Sequence, residues 1–435
     1  MDDAEQSPFA QRPPIWLVRF CGFVLGVVAL IYIGLGVANL AFRGDPFDLR
    51  RRWIDQQYIF HRQNPFDVLF RANAIKHGTP PPLISRNAEA DLAIGPPDTE
   101  GYPPWSFFSG AVLVGLPWEA ERVYFAALNL VAIGFIGWWG FSVGRKFGLE
   151  AGVLFAAATA AMGSVRVTLS FGQYGILVDA LLVGALVLEE RRWSMLGGLL
   201  LGIAMLKPNI AAPFMLCFLV QRRFRALAGA MGYLTVASLV IWGVTHTNPL
   251  EMTQQMLAAS GDYVGHSTSV LKAALRIGMP VNTAIMLVAA GSLAIGAVLM
   301  FLLRHAPLLT QFSIASVIGR FWSYHRAYDD LMLIFLLAQL GQIMLSRPSL
   351  WNVMAFWFVQ VSLLWQPIGT EGLRWPAAAG QHIAWFFGIL NVLYAGILAR
   401  SVTQSRDRED AAHYPLENAG IAAAGRAASK PLNRE

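Results

Sequence analysis

The sequence predicts an all-α polytopic membrane protein, a bundle of about 10–13 transmembrane or re-entrant helices with a large first outer loop. Three observations carry this expectation. Hydrophobic residues make up 55% of the 435-residue chain and charged residues 14%, where a soluble domain carries roughly 25% charged. Mean hydropathy is +0.48, and apolar runs recur along the chain at close to the ~20 residues that cross a bilayer. The basic residues behind the net charge of +6 sit in short clusters beside those runs. That placement marks membrane topology, so the partner it implies is a lipid bilayer and not nucleic acid.

In chain order, the polar residues 1–14 show no cleavable signal pattern and are expected as a cytoplasmic N-terminus. The run 15–42 is then the first span, opening a single transmembrane domain over 15–400. The outer loop 43–105 is the longest in the protein, and loops of that length are usually functional. The apolar piece at 103–117 is too short for an ordinary span and is expected to be re-entrant or interfacial. Spans follow at 121–144, 149–166 and 173–189.

Two shorter pieces, 194–206 and 210–220, flank Lys207-Pro208-Asn209 and carry basic residues at both far ends. They read as a hairpin with both ends on one side, each arm roughly 20 Å long at about 1.5 Å per residue. A span at 226–245 leads to a second outer loop, 246–280. Further spans are expected at 281–303, 307–324, 329–346, 349–366 and 381–400. The charged, Ala-rich tail 401–435 reads as disordered and cytoplasmic. With this assignment Arg145, Lys146, Arg191, Arg192, Arg222, Arg223, Arg304 and Arg347 fall on one side, the cytoplasmic one by the positive-inside rule. The expected working face is the opposite one, facing the exterior or periplasm across the cytoplasmic membrane.

Several clusters could carry chemistry. A helix from Phe47 to Gln63 would place Leu49, Trp53 and Phe60 on one stripe, suited to the membrane surface. Asp48, Arg52 and Asp55 would share an adjacent stripe. Those charges are either a solvated face with intrahelical ion pairs or a carboxylate held at the membrane surface as a general base. Lys207 sits in an apolar hairpin beside a helix-breaking proline. It either snorkels to the interface or provides a fixed cation for a lipid phosphate. From Arg320 to Asp330, five ionisable groups fall within eleven residues. His325, Arg326 and Asp329 are the candidates there, weighed against an ion-paired helix entry. Gln173 reads as the polar cap of a turn, and Asp179 as a carboxylate that pairs with a neighbouring helix. Cys21 and Cys217 both lie in apolar runs, so no disulfide framework is implied. His61 and His77 read as loop histidines. No Walker loop, GxGxxG or paired-histidine metal spacing occurs, and neither a cofactor nor a metal is expected.

An ordered set of short motifs resembles glycosyltransferase family 87, the polyprenol-phosphate-mannose-dependent α-1,2-mannosyltransferase-like family, also labelled a domain of unknown function. The set comprises Asp48 followed by Trp53, then Asn64-Pro65-Phe66-Asp67, Tyr102-Pro103-Pro104, Gly172-Gln173 and Leu206-Lys207-Pro208-Asn209. The chain carries Arg50-Arg51-Arg52 where family members often have tyrosine. The resemblance implies a GT-C-like bundle and transfer of a hexose, mannose by the family's name, from a polyprenyl-phosphate-linked donor to a glycan or glycolipid acceptor. It maps the family's loop aspartate onto Asp48. Lys207, Arg52, Arg326 and His325 then become donor- or phosphate-binding candidates, with Asp55, Tyr102, Gln173 and Asp329 in support. Rival readings are a polymerase or ligase of diphosphate-linked glycans, which the arginine run keeps open, and a lipid-glycan transporter, which usually shows inverted repeats.

Overall fold

The computed structural model describes residues 14–76, 101–260 and 270–364, together with 389, 390 and 393. The expected span at 381–400 lies almost wholly outside the described residues, as do His77, residues 1–13 and the tail 401–435. The described residues form seventeen α-helices and no strand. Helix α1 (Ile15–Ala38) ends in a π-helical turn (Asn39–Arg43), and α2 (Phe47–Phe60), α3 (Pro65–Lys76) and α4 (Ser106–Leu113) follow. Next come α5 (Trp118–Arg145), α6 (Leu149–Ala160), α7 (Gly163–Phe171) and α8 (Gly175–Glu190). The hairpin is α9 (Ser194–Ala204) and α10 (Pro208–Val220), leading to α11 (Phe224–Thr245), α12 (Pro249–Ser260), α13 (Val270–Arg276) and α14 (Val281–Leu302). Helix α15 (Leu308–Phe321), a 3₁₀ turn (Ala327–Leu333), α16 (Ile334–Ser346) and α17 (Leu350–Leu364) complete the chain's described order.

Five of these segments are long and apolar enough to cross a membrane, and a sixth if α6 and α7 count as one bent span. Three of the five, α1, α11 and α14, face mostly outward, while the segment Tyr328–Ser346 has 83% of its window buried. The apolar window of α14 has only 11% of its residues buried, and that of α1 only 22%, so both present hydrocarbon to lipid. The protein is therefore a multi-pass membrane protein. The remaining apolar helices, α9, α10, α15 and α17, are shorter than a full span; α15 is almost wholly buried, while α9 and α17 keep an exposed apolar face.

Expected spans differ from the structure at 307–324, where α15 is a 14-residue helix shorter than a full span, and at 149–166. The 149–166 helix stops at Ala160, bends by 44°, and resumes as α7 to Phe171. A break in apolar surroundings frees carbonyls that need new donors. Gln360 of α17 supplies one, its Nε2 donating to the Ala161 carbonyl at 3.2 Å. The bend therefore depends on a residue 199 positions away, which no local pattern reports. The end of α1 is closed similarly. Arg122 Nε donates to the Leu40 carbonyl at 3.0 Å, and its terminal nitrogen Nη2 to the Gly44 carbonyl at 2.8 Å.

Packing uses small residues where lipid supplies little driving force between helices. A Cβ on Gly198 would sit 1.8 Å from the Ala226 carbonyl oxygen, and one on Gly202 would sit 2.9 Å from that of Ala230. These two glycines, one turn apart, let α9 and α11 touch backbone to backbone. Deeper in, Phe214, Phe312 and Phe335 join α10, α15 and α16 with centroids 4.9–5.3 Å apart.

The turns sort to two ends. At one, Arg223 pairs with Glu189, and Gln221 donates to the Ala306 carbonyl. These contacts bring the basic turns α8–α9, α10–α11 and α14–α15 together. At the other end the loop helices α2, α3, α4 and α12 gather over the α7–α8 turn and the hairpin tip.

Candidate functional site

The hairpin tip is built to hold a lysine inside the bundle. Helix α9 stops at Ala204, and Pro208 starts α10 with Lys207 as its N-cap residue. The chain reversal exposes carbonyls, and two indoles meet them. Trp105 Nε1 donates to the Met205 carbonyl and Trp322 Nε1 to that of Asn209, both at 2.8 Å. Pinned this way, Lys207 does not snorkel. Its side chain is 7% exposed and ion-paired with Asp329 on the 3₁₀ turn. The ammonium also donates to Gln173 Oε1 at 3.2 Å and lies 4.6 Å from the Tyr328 ring centroid. Asn209 Nδ2 donates to the other oxygen of Asp329 at 3.3 Å.

Gln173 reaches this group from the α7–α8 turn. Gly172 there has φ +70°, and a Cβ on it would lie 2.4 Å from Leu49 Cβ. The bare glycine lets α2 dock directly on the turn. Leu49 is consequently fully buried, a correction to its expected place on the membrane-facing stripe. Phe60 is exposed as expected, and Trp53 is half-buried with its Nε1 on the Leu116 carbonyl.

The same docking buries Asp48, Arg52 and Asp55 at 2%, 5% and 3% exposure, which overturns the solvated-face reading of that stripe. Gln173 Nε2 donates to Asp48 Oδ2. Its Oε1 accepts from Arg52 Nη2 at 2.8 Å and from the Tyr102 hydroxyl at 3.4 Å. The Arg52 guanidinium also lies 3.9 Å from the Tyr102 ring centroid and 4.5 Å from that of Tyr174. One neutral amide thus connects a carboxylate on α2 with two cations, Arg52 and Lys207. From spacing alone Gln173 reads as a turn cap, and the family resemblance adds it only as a supporting residue. No signal in a Gly-Gln-Tyr triplet reports that three distant elements converge on it.

The junction after α15 forms a neighbouring cluster. Arg320 Nε lies 2.8 Å from Asp330 Oδ1, and His325 Nε2 lies 2.9 Å from the same oxygen. His325 is fully buried. Burial first, and the Arg320 charge second, hold its pKa below the ordinary histidine value, with Asp330 opposing. The ring is neutral at pH 7 and faces protein, not lipid. Arg326 is half-buried, with its guanidinium 5.5 Å from the Tyr324 ring, and its backbone N–H donates to Asp329 Oδ2 at 3.2 Å. The structure therefore brings Asp48, Arg52, Tyr102, Gln173, Lys207 and Asp329 into one connected group. His325 and Arg326 stand beside it through the Asp329-Asp330 pair. Asp55 lines a small cleft with Arg52, Tyr102 and Tyr174. His61, read as a loop histidine, caps α2 with its Nδ1 2.8 Å from the Gln57 carbonyl.

No curated protein matches the chain. A family profile does, over residues 101–323, which is just over half of the chain. The matched stretch holds Tyr102, Gln173 and Lys207. It ends before His325, and it begins after α2, so Asp48 and Arg52 join the matched residues by contact alone. Extent and content together make this membrane protein a member of glycosyltransferase family 87, and thus a glycosyltransferase.

Proposed function

We propose that the protein moves a hexose, mannose by family resemblance, from a polyprenyl-phosphate-linked donor to a glycan or glycolipid acceptor on the outer face of the cytoplasmic membrane. Asp48 acts as general base on the acceptor hydroxyl, and the displacement is single and inverting, by analogy with the base of inverting glycosidases. The observation that carries this reading is the Gln173 bridge. It sets one carboxylate beside two cations, Arg52 and Lys207, in a buried group at the end of the bundle away from the basic turns.

The chemistry asks for this combination. Proton removal from a hydroxyl needs a base within hydrogen-bond reach. A leaving phosphate needs fixed positive charge in a place where water screens little. Lys207 gives two of its three hydrogens to Asp329 and Gln173, which leaves one for a phosphate oxygen. The arginine run, which favoured a diphosphate-linked substrate, is split in the fold. Arg50 is exposed beside Asp45 at 3.7 Å and Arg51 lies 3.5 Å from the Phe47 ring centroid, while Arg52 joins the buried group. One arginine and one lysine suit a monophosphate. His325 and Arg326, which reach the group through the Asp329-Asp330 pair, are assigned on this reading to the phosphate or acceptor side.

The test is transfer from a polyprenyl-phosphate sugar by purified variants in nanodiscs, with thermal stability followed in parallel. Asp48→Asn should fold and lose about 10²- to 10⁴-fold in rate, the usual range for a general base. Asp55→Asn should lose much less. Near-normal turnover of Asp48→Asn beside a stable, inactive Asp45→Asn or Asp55→Asn would transfer the role to that neighbour. Normal turnover of all three would end the mechanism.

A further inference from the structure

We propose that the cleft between α2 and α4 is a subsite for one hydroxyl of a hexose, recognised by the buried side-chain amide of Gln56. The inference rests on the reading that the site transfers a sugar, and it adds a specificity determinant that neither the motifs nor the family match contains. Gln56 lines a small cleft, with room for about one water-sized group, together with Arg52, Asp55, Tyr102, Gly110 and Tyr174. The residue is 1% exposed, and its Nε2 makes no hydrogen bond among the described residues. A buried amide donor without a partner keeps its full desolvation penalty, and such groups in folded proteins call for an explanation. A leucine would fill the same place on α2 without that penalty. A partner from outside the chain removes it.

The walls indicate the chemistry of that partner. One guanidinium and one carboxylate, Arg52 and Asp55 of α2, line the cleft, so their formal charges cancel and leave nothing to favour phosphate. Two tyrosine rings add apolar surface. Few polar groups set among aromatic walls are the usual make-up of a small-molecule site, and here they suit a neutral polyol. Gly110 keeps the space open, since a Cβ there would lie 2.4 Å from Gln56 Oε1. Position matters too. Arg52 walls the cleft and also donates to Gln173, the group that holds Asp48. A sugar with one hydroxyl in the cleft lies against the same arginine that ties Gln173 to α2. Both the donor hexose and the acceptor glycan present such hydroxyls.

The experiment separates these sources. Full-length protein in nanodiscs is assayed with polyprenyl-phosphate mannose as donor and octyl α-mannoside as acceptor, then with monodeoxy analogues of each. In the wild type, removing one particular hydroxyl should lower kcat/KM by roughly 3- to 10-fold, the worth of one net hydrogen bond. Gln56→Leu should show a similar loss with the parent substrates and become indifferent to that deoxy position. Its melting temperature should hold or rise, because the leucine removes a donor that had no partner in the fold. Gly110→Ala, which displaces the amide, should move the same ratio in the same direction. A ratio that collapses in the donor series assigns the cleft to the donor sugar, and in the acceptor series to the acceptor. Undiminished discrimination by Gln56→Leu in both series overturns the subsite and leaves transfer standing. A wild type that uses none of these substrates removes the transfer reading and the subsite with it.

Discussion

Gln173 is uncharged, yet the charged side chains meet through it. An amide can donate to Asp48 and accept from Arg52 and Lys207 at once. A carboxylate in its place would accept from both cations but could not donate to Asp48, and would add a negative charge beside it. Lys207 carries a second obligation, since Asp329 is fully buried and ion-paired to it. Removing one partner of a buried pair destabilises by about 3–5 kcal/mol, because the other charge stays buried. Lys207→Ala should therefore lower the melting temperature as well as donor use. Adding Asp329→Asn should restore stability without restoring the KM for a polyprenyl-phosphate donor. Recovery of normal donor KM in the double variant would reduce the lysine to a counter-ion for Asp329.

At the scale of elements, the loop helices are held as a unit over the site. Asn64 Nδ2 donates to Gln255 Oε1 and Gln255 Nε2 to Asp67 Oδ1, each at 2.7 Å, which latches α3 to α12. Phe66, Ile59, Phe107, Ile241 and Met252 pack beneath. Burial raises the Asp67 pKa to about 6, and Glu251 adds to it. The unfolded value is about 4. Below that value both states hold the proton and the latch is at full strength. As pH rises towards 6 the unfolded state loses its proton first, so stability falls. Above 6 both are ionised and the loss stays constant, at most about 3 kcal/mol and less where solvent screens the carboxylate. Hydrogen exchange of the α12 amides, corrected for intrinsic rates, should quicken between pH 4.5 and 7 in the wild type. Asp67→Asn should flatten that dependence. Equal protection at both pH values in the wild type would contradict the latch.

For the whole molecule, two ends with different composition meet two aqueous phases. On the proposed topology, which follows the positive-inside rule, the basic turns face the cytoplasm and the Gln173 group the opposite side. Cysteines introduced as Lys146→Cys, Arg192→Cys and Arg223→Cys should resist a membrane-impermeant thiol reagent in intact cells. Arg62→Cys and Thr247→Cys, in the loops beside the site, should react. The expected outer-face positions Glu89 and Asp262 lie outside the described residues. Labelling of Arg223→Cys from outside would invert the topology and with it the proposed side of catalysis.

The membrane class, five of the expected spans, the hairpin and its Lys207 tip were legible in the sequence. Transfer of apolar side chains from water to hydrocarbon adds up along a contiguous segment, so composition in a window suffices. The pairing of a lysine with Asp329 across 122 positions, and of Gln173 with Asp48 across 125, does not add up locally. The same holds for the bend after α6, which needs Gln360, and for the burial of Leu49, which needs a glycine at 172. An unpartnered amide at position 56 shows no local signature at all. The sequence by itself determined which segments enter the bilayer and which charges lie near its edges. Tertiary structure alone decided which of those charges are buried together, because desolvation and hydrogen bonding depend on whatever element packs alongside, wherever in the chain that element comes from.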